Sequence, residues 1–390
     1  MSVTLEEYEL QLWSCLNCYC GLCVESCPPY RALKNEIVSA RGLAQIGLAV
    51  LSGDLKLEDL SNEIIFACTG CRWCEYVCSM NTPLYIQQHG TRRNRVSGAT
   101  MTEILRSQKI EQGGEIPKEI IDVLVNISEY GNPYGGIKRV KDDWVANLTM
   151  ILGNEDTILY AGAMVPYEVT ARKMAESVIE VLKAGRLRFA MLGSEERDSG
   201  AFARMLGEEG LFFDLVDQVT SVFRRHNLKR IICLSPHDYD TFLHYYGELR
   251  HIEIKHYTQV IAEMIDNGAI RLNKPLHKRI TYHDPCYLGR QNFVHQEPRK
   301  ILQGIPGIEF VEMKRSKEEG FCCGGGGTGL FLNLPRVTID SSRADQIHEV
   351  NADIVAVACP ICYQMLDAAM KTRNYSIQVT DIAQLVLEAL

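Results

Sequence analysis

Apolar residues recur along the chain at two different spacings, and each spacing predicts a different kind of element. Between residues 33 and 51 they recur at helical spacing and Gly53 follows, which predicts a helix. Residues 98–130 carry two more helical patterns, the second opened by Pro117. Beyond this point, short apolar runs typical of strands alternate with helical patterns such as 167–183, which predicts an α/β region.

The α/β region repeats itself at an offset of 123 to 124 residues. The matching pairs are the apolar runs 157–160 and 280–282, the runs 230–234 and 354–358, and the motifs Ser-Pro-His-Asp-Tyr at 235–239 and Cys-Pro-Ile-Cys-Tyr at 359–363. Several matches in the same order predict two halves of one architecture.

Composition limits the class of protein. The chain has 390 residues, of which 46% are hydrophobic, and a formal net charge of -8. We therefore expect a well-formed core, and the acidity argues against nucleic acid as a partner. No apolar run is as long as a membrane helix and the first residues lack the layout of a signal peptide, so the expectation is a cytoplasmic protein without a membrane span.

The fifteen cysteines indicate metal binding, because disulfides are rare in the cytosol and these cysteines are grouped. Cys68, Cys71, Cys74 and Cys78 follow the C-x2-C-x2-C-x3-C pattern of bacterial ferredoxins, whereas zinc prefers two separated C-x2-C pairs. Cys233 stands apart from the groups and is interpreted as a core thiol.

An earlier group of five cysteines is less regular. Its later members fit the same pattern: Cys20, Cys23 and Cys27. The first position of the pattern falls on Asn17, so either Cys15 or Cys18 must replace it. We favour Cys15, because Cys18 and Cys20 lie so close together in sequence that they would not comfortably share one cubane. An alternative register uses Cys15, Cys18 and Cys23 and leaves Cys20 spare.

In two-cluster ferredoxins the fourth cysteine of each run binds the other cluster. The predicted ligands of the first cubane [4Fe-4S] cluster are therefore Cys20, Cys23, Cys78 and one of Cys15 and Cys18. The predicted ligands of the second cubane [4Fe-4S] cluster are Cys27, Cys68, Cys71 and Cys74.

A third group lies in the second α/β half: Cys286, Cys322, Cys323, Cys359 and Cys362. Loops at the ends of neighbouring parallel strands meet at one edge of a sheet, which would bring these thiols together. Five thiols are one more than a tetrahedral zinc ion or a simple cubane needs. Zinc binding and a disulfide between Cys322 and Cys323 are the alternatives. Residues 324–327, all glycine, are expected to offer backbone amides to cluster sulfur.

The first α/β half lacks these cysteines. The aligned positions hold Ala163, Asp198, Ser199, Ser235 and Asp238. The scaffold is thus predicted in both halves and a metal site in the second alone. Just before Cys286, His283 and Asp284 are either proton donors near a cluster or structural residues.

These motifs resemble a known family. The run Tyr282-His283-Asp284-Pro285-Cys286-Tyr287-Leu288-Gly289-Arg290, with Cys322-Cys323-Gly324 and Cys359-Pro360-Ile361-Cys362, resembles the cysteine-rich CCG domain of heterodisulfide reductases and their relatives. The N-terminal double run is similar to the ferredoxin-like subunit of the same enzymes, and residues 131–135 to a linker in fused forms. The resemblance implies that the five C-terminal cysteines hold one non-cubane [4Fe-4S] cluster.

The predicted fold class is α+β. A helical ferredoxin-like domain with two [4Fe-4S] clusters is expected at residues 1–110, a helical linker at 111–150, a degenerate CCG half at 151–270 and an intact CCG half at 271–390. Together the last two ranges form the duplicated α/β CCG domain.

The resemblance implies an iron–sulfur electron-transfer subunit of a multi-subunit, heterodisulfide reductase-like oxidoreductase of anaerobic metabolism. Heterodisulfide reductase cleaves its disulfide between two CCG clusters, so the missing first motif favours an electron relay. No dinucleotide-binding glycine pattern is present, so a flavoprotein (the heterodisulfide reductase flavin subunit or another FAD-dependent protein) is the expected partner, with a ferredoxin or a membrane quinone-reactive subunit as further partners. The alternatives are a catalytic thiol or disulfide reductase and a zinc-bearing assembly scaffold with ferredoxin wiring.

Overall fold

The structure, a computed structural model, describes residues 3–81, 95–148, 153, 155–334 and 338–390. The chain forms two compact units. The first takes the residues up to Asp122 together with Phe202–Phe212 and Cys322–Ile339, and the second takes Val123–Ala201, Phe213–Phe321 and Asp340–Leu390. The expected boundary between residues 150 and 151 lies outside the described residues, and the four predicted domain ranges stay predictions.

The N-terminal part of the first unit is helical. Its helices are α1 (Glu9–Asn17), α2 (Leu22–Glu25), α3 (Pro28–Leu33), α4 (Ala40–Leu51), α5 (Asn62–Ile65), α6 (Trp73–Tyr76) and α7 (Gly98–Glu111). The helix predicted for residues 33–51 begins at Ala40, so the prediction was wrong for the residues before it. Ser39 caps the helix there, because its side chain accepts a hydrogen bond from the amide of Gly42.

Three of these helices, α1, α4 and α7, form the core of the unit. Leu12 of α1, Leu43 and Ile46 of α4 and Leu105 of α7 are all buried. Gly47 of α4 permits the close approach, because a Cβ atom there would lie 2.9 Å from the Leu12 side chain. This core supports the loops that carry the N-terminal cysteines.

Further along the chain, helices alternate with strands. The helices are α8 (Lys118–Tyr130), α9 (Lys138–Asn147), α10 (Val169–Ala184), α11 (Ala201–Leu206), α12 (Glu209–Arg225), α13 (Pro236–Tyr245), α14 (Tyr257–Asp266), α15 (Gly289–Asn292), α16 (Gln296–Gly304), α17 (Ile339–His348), α18 (Pro360–Thr372) and α19 (Ile382–Ala389). The two helices predicted within 98–130 are confirmed as α7 and α8. After α8, the Asn132 side chain hydrogen-bonds to backbone groups of Tyr134 and Gly136, in and directly after the segment that resembles a linker of fused forms.

The second unit contains two parallel sheets. The strands are β1 (Thr157–Tyr160), β2 (Arg230–Cys233), β3 (Glu253–His256), β4 (Arg279–Tyr282), β5 (Glu309–Phe310), β6 (Ile354–Val357) and β7 (Gln378–Asp381). One sheet has the order β1-β2-β3 and the other the order β5-β4-β6-β7, with every pairing parallel. The four strands predicted from apolar runs are confirmed. The mixture of helices with parallel strands agrees with the expected α+β class.

The last strand of each sheet leads directly into a helix in the same way. His256 ends β3 and caps α14, and Gln259 completes a capping box. Asp381 ends β7 and caps α19, and Gln384 completes the equivalent box. Among the described residues, no helix is both long and apolar enough to span a bilayer.

Candidate iron–sulfur sites

Six of the nine N-terminal cysteines line a cavity in the first unit, among them Cys74, which was predicted for the second cluster. The cysteines around it are Cys15, Cys18, Cys20, Cys23, Cys74 and Cys78. Cys15 comes from α1, Cys23 from α2 and Cys74 from α6, while Cys20 and Cys78 lie in loops. Gly21, Ala40 and Val96 add small or apolar surface to the same wall. The helices therefore direct thiols from both sequence runs into one space.

The electrostatics of this first thiol group favour a bound cation. Burial raises the pKa of the Cys23 thiol to about 11, and the neighbouring thiols of Cys78 and Cys20 contribute to the rise. Burial likewise raises the pKa of Cys15, again with help from nearby thiols. Cys20 differs, because a backbone hydrogen bond at Leu22 lowers its pKa. Thiolates crowded in this way repel one another unless a metal centre compensates them, so the donors suit an iron–sulfur cluster.

A second thiol group lies beside the first: Cys27, Cys68, Cys71 and Cys74. Burial raises the pKa of Cys27 well above its ordinary value, and Cys71 and Cys68 add to the rise. Burial does the same to the pKa of Cys74; among the thiols Cys23 of the first group contributes most, followed by Cys68, Cys71 and Cys27. The amide of Gly98 donates to the Cys74 sulfur across 3.2 Å. The chain thus brings together the residues predicted for the second cubane, and their role as ligands stays a prediction.

Cys15 and Cys18 are the two alternatives for the fourth ligand of the first cubane. The sulfurs of Cys18 and Cys20 are 3.5 Å apart, and the Cys18 sulfur also lies 3.1 Å from the carbonyl oxygen of Cys15. The Cys15 thiol is buried on α1, with its sulfur 3.9 Å from the Ala40 carbonyl oxygen. Contact between Cys18 and Cys20 fits the sequence argument that these two do not comfortably share a cubane.

Arg106 of α7 supports the second group and was not singled out from the sequence. Its Nε donates to the carbonyl of Ile65 and a terminal nitrogen donates to the carbonyl of Cys68, both across 2.9 Å. Its guanidinium also lies over the Phe66 ring, 5.0 Å from the centroid. Burial raises the pKa of Cys68, and the positive charge of Arg106 opposes that rise. No local pattern reveals this role, because the partners lie about forty residues away.

Cys322 and Cys323 belong to the first unit and are not joined by a disulfide. The amide of Gly324 donates to the Cys322 sulfur across 3.3 Å. That residues 324–327 offer amides to cluster sulfur stays a prediction. The Thr69 hydroxyl lies 3.5 Å from the same sulfur. Gly327 has a φ of +65°, and a Cβ there would lie 3.2 Å from the carbonyl oxygen of Cys68. Close backbone approach therefore explains the need for glycine.

The other three C-terminal cysteines lie in the second unit, after neighbouring strands. Cys286 follows β4, Cys359 follows β6, and Cys362 lies in the first turn of α18. All three are buried. Burial acts to raise the pKa of the Cys359 thiol, but the neighbouring Cys362 and His237 side chains outweigh it and lower that pKa to about 5. A lowered pKa favours the thiolate, which is the form that binds metal.

His283 and Asp284, left open as proton donors or structural residues, are both held by arginines. Arg299 donates to the two carboxylate oxygens of Asp284 across 2.8 and 2.9 Å. Burial acts to raise the pKa of Asp284, but Arg299 outweighs it and lowers that pKa, so the group is an ionised structural carboxylate. The Nε of Arg343 donates to Nδ1 of His283 across 3.1 Å. Burial and the charge of Arg343 depress the pKa of His283 well below its ordinary value.

The Arg343 contact fixes the tautomer of His283. A neutral imidazole carries one proton, and Nδ1 must accept here because an arginine side chain cannot. The proton of His283 therefore lies on Nε2. A histidine that binds metal through Nε2 needs its proton on Nδ1, so this arrangement disfavours His283 as a metal ligand and makes it a hydrogen-bond donor.

In the first α/β half, polar groups replace the expected thiols. Ser199 donates to Asp238 across 2.5 Å, and the Gly200 amide donates to Asp198 across 2.7 Å. Burial raises the pKa of Asp198 and of Asp238 to about 7. Within the described ranges, these residues do not converge as a set of three metal-binding side chains. Instead, the polar side chains of this region hydrogen-bond to one another and to a nearby backbone amide.

A buried ion pair completes this polar region. Lys141 lies 2.7 Å from Glu196, whose carboxylate also accepts the amides of Ala161 and Gly162. The Gly162 position is tight, since a Cβ there would lie 2.7 Å from Asp238. The aligned residue Ala163 lies beside this loop and is buried, and Ser235 caps α13. Sequence analysis missed Lys141 and Glu196, because nothing local marks them as partners.

Two family matches cover the candidate sites. Residues 11–82 match the 4Fe-4S dicluster domain, and residues 280–367 match the cysteine-rich CCG domain. The first match contains all nine N-terminal cysteines, and the second contains the five C-terminal ones. Both matches confirm the resemblance identified from the motifs. They support [4Fe-4S] binding.

Several curated proteins are similar over most of the chain. A probable iron-sulfur-binding oxidoreductase FadF of Bacillus subtilis is 32% identical over 85% of this chain and 47% of its own length. The EtfAB:quinone oxidoreductase of Syntrophomonas wolfei is 28% identical over 98% of this chain and 58% of its own length. The chain thus spans about half the length of these two relatives. A subunit of the dihydromethanophenazine:CoB--CoM heterodisulfide reductase of Methanosarcina barkeri is 31% identical, over 98% of this chain and 94% of its own length.

Proposed function

Because the chain belongs to the family of this heterodisulfide reductase subunit, we propose that it is the iron–sulfur electron-transfer subunit of a multi-subunit oxidoreductase complex of the same type. Electrons pass between a partner protein and a non-cubane [4Fe-4S] cluster by way of two cubane clusters. The observation that carries the proposal is the pair of adjacent thiol groups in the first unit, a layout suited to two clusters in series.

The proposed ligands follow from the sequence runs. The first cubane takes Cys20, Cys23, Cys78 and one of Cys15 and Cys18; the second takes Cys27, Cys68, Cys71 and Cys74; the non-cubane cluster takes Cys286, Cys322, Cys323, Cys359 and Cys362. Mutual repulsion among the thiols of the first two groups, including that between Cys23 and Cys74, supports metal binding by these cysteines. When bound, the clusters supply one-electron redox chemistry, and the chain supplies thiolates, hydrogen bonds and burial.

We infer that the α/β region is a duplication with one degenerate half. The strand orders β1-β2-β3 and β4-β6-β7 correspond, and both series end in a capping box with glutamine as its third residue. The polar region of Asp198, Ser199 and Asp238 occupies the place of the missing thiols. A chain with one CCG cluster lacks the two-cluster disulfide cleavage of heterodisulfide reductase, which supports a relay over a catalytic disulfide reductase.

The proposed flavoprotein partner follows from a motif that the sequence does not contain. With no dinucleotide-binding glycine pattern, a flavin is expected on another subunit. One relative is named a quinone oxidoreductase and another belongs to a reductase named for dihydromethanophenazine, which supports a quinone-like carrier at one end of the complex. A ferredoxin is a further candidate donor. We propose that the assembly works in the cytoplasm or at the membrane surface.

The zinc-scaffold alternative has weaker support. The five grouped thiols are one more than a tetrahedral zinc ion needs, and a mixed site would need a histidine or a carboxylate. His283 has its Nδ1 occupied by Arg343. Asp284 is likewise committed to Arg299. His283 and Asp284 are therefore both held by arginines, which weakens the case for either as a zinc ligand.

Anaerobic purification with metal analysis and electron paramagnetic resonance (EPR) tests the proposal. Three clusters predict about 12 iron atoms per chain and no zinc. Cys362→Ala should lower the iron content to about 8 and remove one EPR signal, leaving two cubane signals. Cys233→Ala, which changes an ungrouped buried thiol, is the matched control and should retain all three. Finding about eight iron atoms and one zinc in the wild type would contradict the non-cubane assignment.

A further inference from the structure

Two buried histidines lie beside the C-terminal Cys-Pro-Ile-Cys pair of the second unit. His237 belongs to the half of the α/β region that has no predicted ligands, and its side chain lies close enough to the Cys359 thiol to lower that thiol's pKa. Its ring packs against that of Tyr287, with the centroids 4.1 Å apart. Tyr287 directly follows Cys286, so this packing fixes His237 next to the loops that carry the thiols.

The local sequence explains how His237 is held. Ser235, which aligns with Cys359, caps α13, and its Oγ accepts the amide of His237 across 3.2 Å. The aligned cysteine position has thus become a cap that orients the first turn of the helix. His237 and Tyr287 are 5% and 1% exposed, so solvent does not compete for their contacts.

His283 lies beside the second cysteine of the pair. One of its ring nitrogens is within 4.8 Å of the Cys362 sulfur. Arg343 occupies Nδ1, and Nε2 has no hydrogen-bond partner among the described residues. The side chain is 1% exposed. A buried N–H group requires an acceptor, and the Cys362 sulfur is an acceptor close to this ring.

We propose that His237 and His283 donate N–H hydrogen bonds to the Cys359 and Cys362 sulfurs of the bound cluster, that Tyr287 and Arg343 position them, and that the two bonds raise the reduction potential of this cluster. The inference rests on the proposed function, since it assumes a cluster on these thiols. Reduction adds negative charge to the cluster, and an N–H donor stabilises that charge more strongly in the reduced state. The half of the α/β region without predicted ligands thereby contributes a hydrogen-bond donor to the site in the other half.

The test is a redox titration of the intact, anaerobically purified protein, followed by EPR. His237→Phe keeps a ring that packs against Tyr287 but has no N–H, and His283→Phe removes the second donor. In each variant the midpoint of the non-cubane cluster should shift to a more negative potential, while both cubane midpoints and the iron content stay unchanged. His237→Gln and His283→Gln retain an N–H donor and should recover part of each shift.

A matched control separates this effect from the replacement of a packed imidazole ring. His348 stacks on Tyr375 with the centroids 4.0 Å apart, but it is an exposed residue. His348→Phe should leave all midpoints unchanged. An unchanged midpoint in His237→Phe or His283→Phe, with the cluster present, overturns the assignment for that histidine.

A measurement on the wild type covers the case in which a Phe variant loses its cluster. Protein labelled with ¹⁵N-histidine should show weak ¹⁵N hyperfine coupling to the reduced non-cubane cluster in pulsed EPR. Absence of that coupling overturns the proposal. If the wild type shows no third cluster at all, the proposed function fails, and that result is distinct from an unshifted midpoint.

Discussion

The phenolic hydroxyl of Tyr257 donates a hydrogen bond of 2.6 Å to Asp381, and both residues are fully buried. Tyr257 begins α14 directly after β3, whereas Asp381 ends β7 and caps α19. The bond therefore joins two strand–helix junctions that occupy corresponding positions in the two sheets. Burial raises the pKa of Asp381 to about 7, and the bond from Tyr257 opposes this rise.

Tyr257→Phe should destabilise the protein by about 1–3 kcal/mol, because it leaves a buried carboxyl oxygen without its donor. Chemical denaturation under anaerobic conditions measures the change. Tyr375→Phe is the matched control: it removes a 2.9 Å bond to Asp345, whose side chain is 41% exposed. This surface change should cost less than about 0.5 kcal/mol. Equal losses in the two variants would contradict the importance of the buried bond.

Asp198→Asn should flatten the dependence of stability on pH. Burial raises the pKa of Asp198 from 3.8 to about 7, so the folded state binds a proton that the unfolded state releases. The stabilisation that comes from protonated Asp198 in the folded state is complete below pH 3.8, and it is lost as the pH rises to about 7. In that window the free energy of unfolding should fall by up to about 1.4 kcal/mol per pH unit more in the wild type than in the variant.

The Asn side chain keeps an oxygen that accepts the Gly200 amide, so the local hydrogen bond is preserved. Denaturation curves at several values between about pH 4.5 and 7, within the window set by the two pKa values, give the slope. Asp156→Asn is the surface control; Lys229 lowers the pKa of Asp156, so this variant should leave the slope in that range unchanged. An Asp198→Asn variant with the wild-type slope would show that the carboxyl is ionised throughout this range.

Spacing in the sequence was sufficient to predict the elements and thiol groups that depend on local order. The helices α7 and α8 and four strands follow from periodicity, and the cysteine runs predict both N-terminal groups. The start of α4 was misjudged because the Ser39 cap outweighs the apolar pattern before it. Arg106 and His237 were not predicted, since their contacts join segments far apart in the chain. Such contacts leave no periodic or motif signal.

Cys15→Ser and Cys18→Ser should distinguish the two candidates for the first cubane. Cys18 contacts Cys20 across 3.5 Å, so we expect Cys15 to be the fourth ligand. Cys15→Ser should then lose about four iron atoms per chain and one cubane signal, while Cys18→Ser keeps the full complement. Iron quantitation with EPR is the measurement. The reverse result would assign the ligand to Cys18 and require that it move away from Cys20.

Arg106→Lys should weaken the binding of the second cubane cluster while the protein remains folded. Arg106 holds the carbonyls of Ile65 and Cys68 with two nitrogens of one planar guanidinium, and a lysine cannot hold both in the same geometry. Each charge-assisted bond lost costs about 1.5–3 kcal/mol, so loss of iron to a chelator should be at least about tenfold faster. The time course of iron release measures the effect, and the faster fraction should amount to about four iron atoms.

Arg95→Lys provides the comparison for Arg106→Lys within the same unit. Arg95 pairs with Glu75 across 2.8 Å, but Glu75 is also held by Arg72 at 2.8 Å, so the carboxylate keeps a partner when Arg95 is replaced. Arg95→Lys should therefore release iron at the wild-type rate. If Arg106→Lys also kept the wild-type rate, the Cys68 loop would be stable without its arginine, and the support of the second thiol group would have to come from the Gly98 amide and the packing of α7.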